Sequence, residues 1–314
     1  MIGPRSAHLV ERAAARLLAS GALEGSAAQL LGPDHTRPPP FAPPRGLESR
    51  GVSVAPAVDG PASDQPYAEM EEPAWRADIA PGPVIETAVL QRAGMCDWSH
   101  GRSRISEEFR LAQRQLLRAA FAPAAEAGVS NLVMVTSARP GEGKTFAAVN
   151  LAGSVAIQGD HRVLLIDSDS KQDSICQALG LADAPGVLDL AANPDLDPCD
   201  VILRTEIEHL WFLPVGRERG RSSELFASRD MTKLIRRLGR RFSDRLLILD
   251  AAPCLSISDP AALATIVGQI LFVVEADRTQ REEVEAALDL IQACPQVMLL
   301  LNKMQVMNRY TFGA

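Results

Sequence analysis

The sequence predicts an α/β fold, a mostly parallel β-sheet flanked by helices and preceded by a disordered Pro-rich N-terminal segment. Three observations predict it. From Asn131 onward, apolar runs of strand length alternate with amphipathic stretches of helical period. The runs are apolar throughout instead of alternating, the pattern of strands covered on both faces. One strand-to-helix junction, at residues 138–145, carries a Gly-rich turn suited to phosphate.

Taken in order, residues 1–31 predict a short amphipathic helix, because Leu9, Val10, Ala13, Leu17 and Leu18 recur at helical spacing. Residues 32–83 are rich in Pro, Gly, Ser and acids, with few large apolar side chains. Such a segment buries too little surface to offset chain entropy and reads as a disordered linker. Its Arg37-Pro38-Pro39-Pro40 run has a Pro-rich docking site as the alternative. Residues 84–304 form the folded domain, and 305–314 a tail. A helix is expected over 104–121, capped by Ser106, with Phe109, Ala112, Leu116 and Ala120 on one face. Strands are expected at Leu132–Thr136, Arg162–Ile166, His209–Pro214, Arg245–Leu249, Gln269–Val274 and Gln296–Leu301. Helices are expected near 144–157, 222–241, 259–267 and 280–293.

Composition narrows the function classes. The net charge of −7 argues against general nucleic-acid affinity and gives no support for direct binding to anionic lipid. Cys96, Cys176, Cys199, Cys254 and Cys294 are scattered, which predicts reduced, half-buried thiols and no zinc site. The apolar runs around Leu246–Leu249 and Ile270–Val274 are far shorter than the ~20 residues of a spanning helix. No secretory pattern opens the chain. The expectation is a cytoplasmic protein without a membrane span of its own.

Ala138-Arg-Pro-Gly-Glu-Gly-Lys-Thr145 carries the strongest chemistry. Gly141 and Gly143 allow a turn whose N–H groups point at phosphate oxygens, with Pro140, Glu142 and Phe146 lending backbone to the same cradle. The next helix adds its positive dipole end. Lys144 supplies a cation for the β/γ-phosphates, and the Thr145 hydroxyl suits Mg²⁺. A P-loop NTPase domain binding ATP and Mg²⁺ follows. Asp167 and Asp169 close the apolar run 163–166, and Asp250 closes 246–249, so all three acids stand at strand ends, where open α/β sheets build their sites. Asp169 and Asp250 are the candidate metal acids beside Thr145. Asp259 is expected to cap the following helix. Asn302 ends the last strand, where an adenine edge is one reading and a plain strand terminus the other. His161 and His209 flank strands and are expected at the surface.

The succession SARPGEGKT, VLLIDSD, LLILDAAP and LLLNK resembles the bacterial exopolysaccharide tyrosine autokinases, relatives of the septum-site and partition ATPases that share the deviant-Walker arrangement. RISEEFRLAQRQLL and SSELFASRDMTKLIRRL point further to the branch associated with exosortase loci. The resemblance covers about residues 84–303. It implies phosphoryl transfer from Mg·ATP to tyrosines near the C-terminus, commonly between subunits of a homo-oligomer. It also implies a membrane-spanning chain-length or co-polymerase partner that holds the kinase at the inner membrane. By position, Lys144 would activate the phosphates. Asp167 would stand where a tyrosine hydroxyl loses its proton, and Asp169 and Asp250 would order the metal. Glu107 and Arg110 would lie on the subunit-contact helix. The chain departs from the pattern at its end, where Tyr310 stands in place of a tyrosine cluster, with Tyr67 in the linker. It departs again at Gln113, where the contact motif has a second Arg, and at Asp250-Ala-Ala-Pro. These departures keep a non-kinase ATPase switch, or a degenerate regulatory subunit of an export complex, as the alternative.

Overall fold

The computed structural model describes residues 83–98, 104–171 and 174–304, all within one compact unit, Ala74–Ala314. The helix expected at 1–31, the linker before its last residue and the tail lie outside the described residues, with Tyr67 and Tyr310.

The elements alternate as the periodicity demands. A short strand, β1 (Val84–Ile85), and two helices, α1 (Thr87–Arg92) and α2 (Arg104–Ala120), precede β2 (Leu132–Ser137) and α3 (Lys144–Gln158). Then come β3 (Arg162–Ser168), three short helices α4 (Ile175–Ala178), α5 (Val187–Ala192) and α6 (Pro198–Val201), and the strands β4 (Leu203–Thr205) and β5 (Leu210–Leu213). The chain continues through α7 (Ser222–Phe226), α8 (Arg229–Arg241), β6 (Arg245–Ala251), α9 (Asp259–Ala264), β7 (Gln269–Glu275), α10 (Arg281–Leu290) and β8 (Val297–Asn302).

Eight strands join in the order β1-β4-β5-β3-β6-β2-β7-β8. Among the described residues, only the β4–β5 pair is antiparallel. The central strands β2 and β6 are buried at every residue, and β3 at all but its first, which explains their unbroken apolar runs. The step from β2 to β3 crosses β6 in one direction, and the step from β5 to β6 crosses β3 in the other. Right-handed crossovers therefore put α3 on one face and α8 on the other. The tips of β2, β3 and β6 meet near this reversal, where such sheets bind ligands.

Several expectations shift by a few residues, each for a local reason. The helix expected over 222–241 is two helices, because the Ser228 hydroxyl caps α8 by accepting from Met231 N at 3.0 Å. The strand expected from His209 begins at Leu210, since His209 takes a left-handed φ of 68°. Asp259 is not the cap of its helix. Ser258 occupies that position and Asp259 lies in the first turn. Ser106 does not cap either; it is buried inside α2, which already begins at Arg104. The cysteines are free, as expected, but four are buried and only Cys96 is half-buried, since an unpaired thiol packs as a small apolar group. The short β1 and β4 escape sequence reading because two or three residues carry no periodicity.

Helix α2 buries Phe109, Ala112, Leu116 and Ala120, as its stripe predicts. Gln113 is buried with them. Its amide nitrogen donates to Gln158 Oε1, and its oxygen accepts from Ser154 Oγ at 2.7 Å. The position that departs from the contact motif thus faces α3, while Arg114 next to it is exposed.

Candidate nucleotide-binding site

The Gly-rich turn lies between β2 and α3. Gly141 and Gly143 have φ of 85° and 96°, left-handed values that favour glycine. A Cβ on Gly141 would meet nothing within 4 Å, so that side of the turn is open. A Cβ on Gly143 would lie 2.2 Å from Asn302 Nδ2.

Neighbouring elements hold the turn in shape. Glu142 is buried, and its carboxylate accepts from Arg139 N at 2.6 Å, from Glu275 N at 3.3 Å and from the Thr279 hydroxyl. Asn302 Nδ2 donates to Glu142 O at 2.9 Å, and Lys303 Nζ donates to Gly141 O at 2.5 Å. Lys303 also pairs with Glu275 at 3.3 Å. The turn is therefore tied to the tips of β7 and β8. An adenine contact by Asn302 would use its carboxamide oxygen or the second hydrogen of its nitrogen, since one N–H serves the loop. Glu142→Ala is expected to loosen the turn, weakening ATP binding and costing about 1–3 kcal/mol of stability through the amides left without a partner. Calorimetric titration and a thermal melt measure both effects.

The strand-end acids gather beside the turn. Parallel pairing of β3 with β6 sets Asp167 directly against Asp250. Lys144 Nζ reaches Asp169 Oδ2 at 2.7 Å and Asp250 Oδ1 at 3.7 Å, and donates to Thr145 Oγ1 at 3.1 Å. Burial pushes the Asp250 carboxyl up to about 6, against the downward pull of Lys144. Burial works against the Lys144 ammonium, but Asp250 and Asp169 outweigh it and raise its pKa. Asp167 is fully buried, and its oxygens accept from Asp169 N and Cys176 N, each at 3.0 Å. Desolvation raises its pKa against these hydrogen bonds.

The structure thus brings together Lys144, Thr145, Asp167, Asp169 and Asp250. Pro140 and Gly141 lie exposed at the tip. The Phe146 ring packs 6.2 Å from that of Phe109, so a ligand role there falls to its backbone. Sequence reading missed Thr279 and the tether from Lys303, because both lie far along the chain from the motif they support. It missed the surroundings of Asp259 as well: burial raises the pKa of this acid, and the charge of Asp169 adds to the rise. His161 is half-buried just before β3, and its ring stacks on Phe121 with centroids 4.7 Å apart.

The donor set fits a hard divalent cation bound together with a triphosphate: one hydroxyl and two carboxylates at the mouth of an amide-lined turn. Among the described residues, no group of three or more His, Cys, Asp or Glu side chains could hold a metal by itself. Phosphate oxygens and water would complete such a shell. No described helix is long and apolar enough to cross a membrane.

No family model matches the chain. A protein provisionally named tyrosine-protein kinase EpsB, from Ralstonia nicotianae, is 31% identical over 189 residues, 60% of this chain and 25% of that protein. The tyrosine-protein kinase YwqD of Bacillus subtilis is 28% identical over 183 residues, 58% of this chain and 76% of YwqD. The succinoglycan biosynthesis transport protein ExoP of Rhizobium meliloti is 30% identical over 241 residues, 73% of this chain and 29% of ExoP. The match to EpsB thus spans about a quarter of that relative's length. Among solved structures, the chimerical protein CapA2B2 aligns with a TM-score of 0.57 at 25% identity, over 73% of this chain and 97% of that one. The kinase domain of the Escherichia coli tyrosine kinase ETK shares the fold, with a TM-score of 0.57 at 22% identity, over 69% of this chain and 90% of that one. The domain is thus similar in sequence to proteins named tyrosine-protein kinases and shares the fold of the ETK kinase domain.

Proposed function

We propose that the chain is an Mg·ATP-dependent protein-tyrosine autokinase that regulates exopolysaccharide chain length or export. One observation carries the reading: Lys144, Thr145, Asp169 and Asp250 converge at the mouth of the Gly-rich turn in a domain whose relatives are named tyrosine-protein kinases. In the reaction the tyrosine oxygen forms a bond to the γ-phosphorus, the bond to the β–γ bridging oxygen breaks, and the hydroxyl proton leaves. A bound Mg²⁺ would supply neutralisation of phosphate charge. The chain's own part is positioning and electrostatics. The turn's amides and Lys144 grip the phosphates, while Thr145, Asp169 and Asp250 orient the metal. Asp167 can take the tyrosine proton only if the acceptor hydroxyl reaches a remaining lone pair of this fully buried carboxylate.

The name of ExoP, a biosynthesis transport protein, supports a role in polysaccharide export. With it comes the partner, a membrane-spanning chain-length or co-polymerase protein that keeps this cytoplasmic chain at the inner membrane. A homo-oligomer would be built on α2, where Glu107 and Arg110 are exposed and pair with each other at 2.7 Å. The RISEEFRLAQRQLL and SSELFASRDMTKLIRRL segments support the exosortase-associated branch.

A phosphosite map of the purified chain after incubation with Mg·ATP, with and without the membrane partner, tests the kinase. Phosphate on Tyr310 is expected. Steady phosphate release with no phosphotyrosine under either condition would replace the kinase by an ATPase switch.

A further inference from the structure

The chain carries a net charge of −7, yet the fold gathers positive charge on one helix. Helix α8 exposes Arg229, Lys233, Arg236, Arg237 and Arg240. At 3.6 residues per turn these five lie within an arc of about 100° and extend along about 16 Å of helix. The stripe is opposite Met231, Leu234, Ile235 and Leu238, which are buried. Lys233 pairs with Asp230 at 3.1 Å, and Arg241 at the edge of the stripe pairs with Asp197 at 2.9 Å. Arg229, Arg236, Arg237 and Arg240 form no ion pair with a carboxylate among the described residues. Amphipathic packing asks only for polar side chains on this face. Like charges four apart, as at 229/233, 233/237 and 236/240, repel one another and weaken the helix. The stripe is thus a local cost that an external anion would relieve.

We propose that this face of α8 docks on an anionic lipid surface. The chemistry of the face selects that partner. Its outward positions hold no aromatic or large apolar side chain to anchor the core of a protein interface. They hold no Asn, Gln or aromatic group to read or stack on bases. What remains is a straight row of guanidinium groups, which grip headgroup phosphates in paired hydrogen bonds over a flat, smeared charge. Overall composition argued against lipid because it averages the charge. The contact depends on the local field, which decays within about 10 Å in salt.

The test is co-sedimentation of the full chain with vesicles of phosphatidylcholine alone or mixed with phosphatidylglycerol. Binding is expected only to the mixed vesicles and falls as salt is raised. Each cation near the surface contributes about fivefold in partition. The combined variant Arg236→Gln, Arg237→Gln, Arg240→Gln therefore lowers binding about 100-fold. Arg114→Gln with Arg118→Gln, on exposed positions of α2, leaves binding within about twofold if the lipid contact is specific to α8. Unchanged ATP binding by the triple variant shows that it is folded. Equal partition to both vesicle types, or no loss in the triple variant, overturns the proposal. So does tighter binding to a DNA duplex that the triple variant abolishes, because the stripe would then serve nucleic acid. The stripe lies outside the nucleotide site, so its failure leaves the kinase reading in place.

Discussion

Replacing Lys144 with Met abolishes ATP-dependent phosphoryl transfer, and it destabilises the fold more at about pH 8 than at about pH 5. The first effect follows from losing the cation aimed at the phosphates. The second follows from the pairing around it. Asp250 is fully buried, and the ammonium opposes the burial that pushes its carboxyl up to about 6. Removing one partner of a buried charge pair costs about 3–5 kcal/mol, because the other is left without compensation. The sign over pH can be worked out. A carboxyl whose folded pKa exceeds its unfolded 3.8 binds more protons when folded, so stability falls as pH rises through the window between the two values. Without Lys144 the folded pKa climbs further and the window extends upward. At about pH 5 a proton on Asp250 takes the place of the ammonium there and only the Asp169 pair is lost; at about pH 8 the Asp250 penalty is added. Thermal melts of both proteins at the two pH values, beside a transfer assay, measure this. An equal loss at both would mean that Lys144 and Asp250 are not coupled. With the two coupled, Asp250→Asn in the Lys144→Met background restores stability at the higher pH without restoring activity.

Gly143→Ala is expected to lower ATP affinity by more than tenfold, a loss of at least ~1.4 kcal/mol. Two costs combine. An alanine at a φ of 96° meets its own backbone, at ~1–2 kcal/mol. The new methyl also lands 2.2 Å from Asn302 Nδ2 and displaces the amide that holds Glu142 O. The turn can relieve the clash only by moving the N–H groups that would face phosphate. A double-mutant cycle with Asn302→Ala separates the two costs: the second substitution removes the clash and leaves the backbone strain. If Gly143→Ala bound ATP as the wild type does, the turn would not be the phosphate cradle.

Much of the site was legible because its elements are local. A Gly-rich turn between strand and helix, and acids directly after apolar runs, are written in consecutive residues. Lys144, Thr145, Asp167, Asp169 and Asp250 were each named from such local patterns, and the structure sets them side by side. The Glu142 network was not legible, because its partners at Glu275, Thr279 and Asn302 lie more than 130 residues away. Nor was the inward turn of Gln113, which is one of two polar neighbours in α2; packing against Ser154 and Gln158 decides which is buried.

The order of hydrophobic runs and the residues that end them determined by themselves the class of sheet and the place of the Gly-rich turn in it. Both follow from backbone chemistry acting within a few residues. Tertiary structure alone decided which strand tip stands beside which, and so put Asp169 and Asp250 against one ammonium. It alone segregated the charge of an acidic chain into a basic stripe on α8. Pairing and segregation depend on distances across the sheet, and a linear sequence holds no such distances.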